Sequence, residues 1–143
     1  MIWLKDARCI GTSGGIANPD GQLDWYDAMK WAAGLHGGLC GLTDGSDVGD
    51  WRLPTITEWM AMVAYAKKMW NYPVLSNGAG TGHWTEGDVF NNVQGDIYLS
   101  STFFGVAGGW TIDMNYGLLG GGGGLVWPVR AGQEGTFGSV FIE

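Results

Sequence analysis

Residues 53–70 read LPTITEWMAMVAYAKKMW and contain the clearest structural signal in the chain. Thr55 and Glu58 have the spacing of a capping box, in which each side chain accepts a hydrogen bond from the other residue's backbone N–H. Lys67 and Lys68 follow near the end, where the helix dipole favours positive charge. The segment is therefore predicted to form an amphipathic helix. Its apolar face would consist of Trp59, Met62, Val63, Ala66 and Met69.

A second helix is predicted ahead of this one, over residues 23–35, LDWYDAMKWAAGL. Asp24 suits the N-cap position, and Gly37 and Gly38 end the helix. Residues 2–4, IWL, are predicted to form a short opening strand. The apolar face of the earlier helix would consist of Ala28, Trp31, Ala32 and Leu35.

The sequence changes character after Tyr72, where glycine, asparagine and aromatic residues dominate. Strands are predicted over residues 96–102, 110–115 and 125–129. In the second strand the alternation predicts that Trp110, Ile112 and Met114 are buried, whereas Thr111, Asp113 and Asn115 face outward. Two helices followed by an irregular, loop-rich antiparallel β half indicate one α+β domain spanning residues 1–143.

The composition excludes several classes of protein. A chain of 143 residues that is 45% hydrophobic and 15% charged is large enough for one cored domain and too apolar for intrinsic disorder. The net charge of −7, with dispersed cations, argues against nucleic-acid binding. No apolar run approaches the roughly 18 residues of a membrane span, so we expect no direct membrane insertion, and the first residues carry no signal-peptide pattern.

Catalytic and metal chemistry have little support in the sequence. Between Asp96 and Arg130 the only charged residue is Asp113, and no serine has a partner histidine. We therefore expect no enzymatic activity, no catalytic residues and no cofactor. Calcium remains an alternative in the acidic loop, although the spacing does not fit an EF-hand and such loops are usually just solvated. Its carboxylates would be Asp44, Asp47 and Asp50.

Two arginines and two cysteines are candidates for fixing the fold. Arg52 and Arg130 lie in the segments DWRLP and VWPVR, and each is predicted to bind an internal carbonyl or carboxylate. Cys9 and Cys40 could form a disulfide that closes a loop of about 30 residues. The residues alone leave two buried free thiols as an alternative, and neither cysteine lies in a CxxC motif. Five tryptophans are predicted to lie in the core, namely Trp25, Trp31, Trp51, Trp59 and Trp127.

Four segments carry a resemblance to a known family. They are IWLKDARC (2–9), LDWYDAM (23–29), GDWRLPTITEW (49–59), and FNNVQGDIYLSST (90–102) leading to VWPVRAGQ (126–133). Together they resemble the Lcl C-terminal domain family, named for a collagen-like bacterial adhesin. The resemblance implies a C-type-lectin-like fold of the formylglycine-generating-enzyme type and a disulfide between Cys9 and Cys40. It also implies a binding module on a secreted, cell-surface or virion-associated protein.

The segment between SST and VWPVR departs from that family. Members usually read YWSST where this chain reads YLSST (98–102), and they carry mixed polar residues in place of the five glycines at 120–124. Some relatives with this fold are variable proteins of diversity-generating retroelements, which rewrite asparagine codons but cannot produce Trp, Met, Lys, Glu or Gln. Within residues 103–125 these types occur only at Trp110 and Met114. The resemblance therefore implies a variable ligand-binding segment at 103–125, with a functionless flexible hairpin tip as the alternative.

The predicted contact positions all lie within residues 103–125. Aromatic and apolar residues come first because they supply most binding energy at interfaces; they are Phe103, Phe104, Val106, Tyr116, Leu118 and Leu119. An alternative places half of these six in the core, Leu118 or Leu119 above all. The remaining positions are Thr111, Asp113, Asn115, Gly120, Gly121, Gly122, Gly123, Gly124 and Leu125. The predicted function is a display domain for an unknown protein or glycan ligand, and the alternative is an invariant adhesin-like surface module.

Overall fold

The computed structural model describes residues 1–69, 71–105 and 108–131. Within these ranges the chain forms two helices and eight mostly short strands, which confirms the predicted α+β class. The helices are α1 (Trp25–Ala33) and α2 (Ile56–Lys68). The strands are β1 (Ile2–Trp3), β2 (Gln22–Leu23), β3 (Trp51–Arg52), β4 (Ile97–Phe103), β5 (Gly109–Asp113), β6 (Leu119–Gly122), β7 (Gly124–Leu125) and β8 (Val129–Arg130).

Both helices begin where the sequence predicts. The Asp24 carboxylate accepts a hydrogen bond from the Asp27 N–H at 2.8 Å and caps α1. The predicted capping box of α2 is present: the Glu58 N–H donates to the Thr55 hydroxyl at 3.1 Å and the Thr55 N–H donates to the Glu58 carboxylate at 2.8 Å. These bonds satisfy backbone donors that a helix start leaves without partners.

The buried helix faces agree with the predicted ones except at one end. All four apolar positions predicted for α1 are buried, as are Trp59, Val63 and Ala66 of α2. Met69 was predicted to lie on the buried face of α2, and this is wrong because its side chain is 52% exposed. Met69 is the C-cap residue, where the helical period that the prediction extrapolated no longer applies.

Two sheets organise the strands. In the smaller one β8 lies between β1 and β3, so the first strand pairs with the last described strand. In the larger one the order is β2-β7-β4-β5-β6, with β4 and β7 parallel and the other pairs antiparallel. The strand predicted over residues 125–129 is divided between the two sheets. Part of the glycine run forms the edge strand β6, so these residues are paired with β5 and do not form a hairpin tip.

The core is built from aromatic rings. Trp127 is fully buried, and the ring centroids of Trp3, Trp59, Phe90 and Tyr98 lie within 5.6 Å of its own. Trp31 and Trp51 are also buried as predicted, whereas Trp25 is only half-buried, which corrects its assignment to the core. In the part of the chain that the structure describes, no helix is long and apolar enough to cross a lipid bilayer.

The predicted alternation in β5 fails at two residues. Ile112 and Met114 are fully buried as predicted, but Thr111 is only 3% exposed and Trp110 is half-buried. Thr111 pairs with Leu99 across the ladder, and paired side chains share a face of the sheet. Because Leu99 is also fully buried, other parts of the protein cover this face of the sheet at Thr111. Both faces of β5 are therefore shielded from water in its middle, and β5 does not have the one open side that the alternation predicted.

Candidate functional site

A disulfide and an ion pair link residues outside the predicted surface. Cys9 and Cys40 form a disulfide with a Cα–Cα distance of 5.8 Å, which confirms the pairing. A disulfide is compatible with an extracellular protein. The Arg52 guanidinium donates to both Glu58 carboxylate oxygens at 2.7 and 2.9 Å and to the Leu53 carbonyl at 3.1 Å, as its predicted internal role requires.

Arg130 pairs with the acidic loop. Its Nε lies 3.0 Å from Asp44 Oδ2, an ion pair in which the N–H is not directed well enough for a hydrogen bond. Burial by itself would raise the pKa of Asp44, but hydrogen bonds from the Ser46 hydroxyl and N–H, together with the charge of Arg130, hold that pKa below its ordinary value. Asp44 therefore serves the internal packing of the loop.

The other two carboxylates of the acidic loop do not join Asp44 in a binding site. Asp50 accepts a hydrogen bond from the Asp47 N–H at 2.8 Å. Among residues 1–69, 71–105 and 108–131, no three His, Cys, Asp or Glu side chains are grouped so that they could hold a metal ion. Calcium at Asp44, Asp47 and Asp50 thus has no geometric support in this part of the protein.

Most of the predicted aromatic and apolar positions are exposed. Phe103 and Tyr116 are 59% and 58% exposed, and Leu118 and Leu119 are 60% and 44% exposed. The alternative that Leu118 or Leu119 fills the core is therefore wrong. Phe104 and Asn115 are exposed, Asp113 is half-buried, and Val106 lies outside the described residues.

Three predicted contact positions lie beneath the surface. Thr111, Gly124 and Leu125 are buried, so a ligand on the outside of the protein does not reach them. Gly124 and Leu125 belong to β7, which lies between β2 and β4 in the interior of the larger sheet. These three residues are therefore not part of the candidate surface.

The five consecutive glycines have different surroundings. A Cβ atom on Gly120 would approach only the Thr111 hydroxyl, at 3.3 Å, whereas one on Gly121 would lie 2.5 Å from the Phe104 ring. Gly122 has a φ of +130°, which strains any other residue. A Cβ atom on Gly123 or Gly124 would meet backbone oxygens at 3.1 and 2.7 Å. Only Gly120 accepts a side chain with little adjustment.

The exposed residues fall into two groups at opposite ends of β5. Phe103 and Phe104 adjoin the end where β5 begins, while Tyr116 and Leu118 follow the end where it stops. Five residues of strand separate these ends by about 14 Å. The predicted aromatic set is therefore two surfaces and not one.

The first surface extends onto α1. The Trp25 ring centroid lies 5.0 Å from that of Tyr26 and 5.9 Å from that of Phe103, and we call these three residues the aromatic row. Phe104 instead contacts Trp110, at 4.4 Å, on the opposite face of the strand pair. Tyr26 was not among the predicted surface residues, although its position off the apolar face of α1 is a usable signal in the sequence.

The second surface contains another tyrosine that the sequence did not single out. The ring centroids of Tyr72 and Tyr116 are 5.4 Å apart. Nearby, Lys67 Nζ donates a hydrogen bond to the Gly117 carbonyl at 3.2 Å, which joins the end of α2 to the turn after β5. Nothing in the sequence places Tyr72 beside a residue more than forty positions later, because that contact depends on how α2 packs.

Comparison with protein-family models, with curated proteins and with solved structures finds no match to this chain.

Proposed function

We propose that this chain is a ligand-binding display domain with a C-type-lectin-like fold, related to the Lcl C-terminal domains and to the variable proteins of diversity-generating retroelements. Its ligand, a protein or a glycan, would contact the exposed side chains at the two ends of β5. The domain would act on a secreted, cell-surface or virion-associated protein, without catalysis.

The observation that carries the proposal is the separation of exposed apolar residues from the fixed framework. Four large side chains are each more than 40% exposed, although they follow or belong to strands of the larger sheet: Phe103, Tyr116, Leu118 and Leu119. Large apolar side chains held at a surface are typical of interaction sites. Elsewhere in the domain the disulfide, two ion pairs and the tryptophan core fix the fold.

An invariant adhesin-like module is the second candidate, and the glycine run favours it. At Gly121 to Gly124 a side chain would meet a ring, a strained backbone or a carbonyl oxygen. Packing therefore explains Gly121, Gly123 and Gly124, and the backbone conformation explains Gly122, so free variation at these four sites is not needed to account for them. A display domain would then vary only around them, at positions such as Phe103, Tyr116, Leu118 and Gly120.

A stability measurement tests whether the exposed residues are free to vary. Phe103→Ser, Tyr116→Ser, Leu118→Ser and Leu119→Ser combined should leave the melting temperature within a few degrees, because surface changes usually cost no more than about 0.5 kcal/mol each. Unfolding of this variant would refute the display proposal.

DNA sequence separates the two candidates. A near-identical downstream repeat, with adenines aligned to the codons of Phe103, Tyr116 and Leu118 and a neighbouring reverse-transcriptase gene, supports display. Flanking DNA without such a repeat supports the invariant module.

A further inference from the structure

We propose that the aromatic row, together with Asp24 and Asp27, binds a lysine or arginine side chain in a basic segment of a partner protein. The inference rests on the proposed function, because Phe103 belongs to the surface described above. It extends that surface onto α1 and gives its ligand a charge.

The aromatic row is exposed and held in place. Tyr26 and Phe103 are 62% and 59% exposed, and Trp25, half-buried, contacts both rings edge-on. The Trp25 indole N–H donates to the Ser100 carbonyl at 2.8 Å, which fixes the middle ring against β4. A fixed ring loses little conformational freedom when a ligand binds.

Two glycines make room for this arrangement. A Cβ atom on Gly108 would lie 2.9 Å from Trp25 Cβ, and one on Gly109 would overlap the indole nitrogen. Gly109 pairs with Phe103 in the ladder, so the space without a side chain lies on the same face as the Phe103 ring. The local backbone thus places Trp25 beside Phe103.

The charge around the aromatic row favours a cation. Asp24 and Asp27 flank Trp25 and Tyr26 in the sequence, and the ion pairs within the described ranges, Arg52–Glu58 and Arg130–Asp44, do not include them. The cation–π contact found in those ranges joins Arg130 to Trp51, so no described lysine or arginine occupies the row.

The dipole of α1 opposes a cation at this end of the helix. It corresponds to about half a positive charge at the N-terminus, and the two carboxylates outweigh it. Lys30, the next cation along α1, is exposed and follows Tyr26 by one helical turn, and its single positive charge still leaves the two carboxylates in excess. The net charge of −7 also attracts basic partners over a longer range.

The chemistry selects the kind of ligand. Lysine and arginine bind aromatic ring faces by cation–π attraction, and carboxylates supply acceptors for their N–H groups. A neutral glycan could stack on the same rings but would gain nothing from the two negative charges. A basic peptide therefore fits the row better than a glycan does.

Binding of a labelled peptide tests the proposal. The probe is a fluorescein-labelled peptide of alternating glycine, lysine and arginine, and its anisotropy is measured with the intact chain at low and at physiological salt. Tyr26→Ala and Phe103→Ala should each weaken binding about three- to tenfold, the range expected for a lost cation–π contact. Asp24→Asn with Asp27→Asn should weaken it at least about threefold without losing the helix cap, because asparagine also caps helices.

Matched variants control for general effects of charge and surface area. Tyr65→Ala removes a tyrosine of similar exposure from α2, and Asp47→Asn with Asp50→Asn removes two charges from the loop beyond the other end of α1. Both should bind the peptide as the unmodified chain does.

Three outcomes overturn the proposal. They are no binding of the basic peptide, equal weakening by the loop variant, and equal binding of a neutral oligosaccharide that Tyr26→Ala abolishes. The proposed function fails separately, through the melting temperature of the serine variant, so the two failures are distinguishable.

Discussion

Trp127 and Trp110 lie only 17 positions apart, and their surroundings predict different roles. Trp127 is fully buried among four aromatic rings and its indole N–H donates to the Leu4 carbonyl at 2.7 Å. Trp127→Ala should therefore cost about 3–5 kcal/mol through cavity formation. Trp110 is half-buried against Phe104, so Trp110→Ala should cost less, about 1–2 kcal/mol. Chemical denaturation measures the unfolding free energy of both variants. Equal losses of stability would contradict the roles inferred from the different burial of the two rings.

Asp44 should make stability depend on pH. Its folded pKa lies below its ordinary value of about 3.9. A carboxyl with a depressed pKa contributes stability above its unfolded pKa and loses it as the pH falls through the folded value. Asp44→Asn should thus cost about 1–2 kcal/mol at pH 7, and that difference should shrink below about pH 4. Melting curves between pH 3 and 7 test this prediction, and Asp47→Asn serves as an exposed control. If Asp44→Asn lost the same stability at every pH, the charge of Asp44 would not be the cause of its contribution.

Among the helices and strands, the features that could be predicted from the sequence are those with local causes. Both helix starts follow from side chains within three residues of the cap, and the sequence displays these directly. The burial of Thr111 has a nonlocal cause, because it depends on pairing with Leu99 and on what covers that face. For the same reason the sequence could not divide residues 125–129 between two sheets.

The glycine run allows a sharp test of how strand packing limits the residues that each position accepts. Gly124→Ala should destabilise the protein by at least about 2 kcal/mol, because its Cβ would lie 2.7 Å from the Ile97 carbonyl oxygen in the interior of the sheet. Gly120→Ala should be neutral or stabilising by up to about 1 kcal/mol, since the new methyl meets only a hydroxyl and the unfolded chain loses freedom. Urea denaturation of the two variants compares identical chemical changes. If neither variant changed the stability, the hypothesis that all five glycine positions vary freely would regain support.

The candidate surface, which several elements build together, could be predicted only in part from the sequence. Phe103 and Tyr116 were identified from composition, but the sequence did not show that they lie at opposite ends of β5 or that α1 completes one of the two surfaces. The first relationship depends on the register of β4 with β5, and the second on contacts between residues more than seventy positions apart, such as that between Trp25 and Ser100. The sequence carries no local signal for them.

The disulfide should stabilise the molecule as a whole. Cys9 and Cys40 are 31 positions apart, and the loop between them contains α1 and therefore two of the three residues of the aromatic row. Closing a loop of this length lowers the conformational entropy of the unfolded chain, which raises its free energy by about 3–4 kcal/mol on the chain-entropy model. Replacing both cysteines with alanine should lower the free energy of unfolding by about that amount, measured with guanidinium chloride. A reductant should shift the unmodified chain to the same midpoint and leave the double variant unchanged. Two thiols that react with an alkylating agent in the native, unreduced protein would show that the bond is absent, and the predicted difference in midpoint would then vanish.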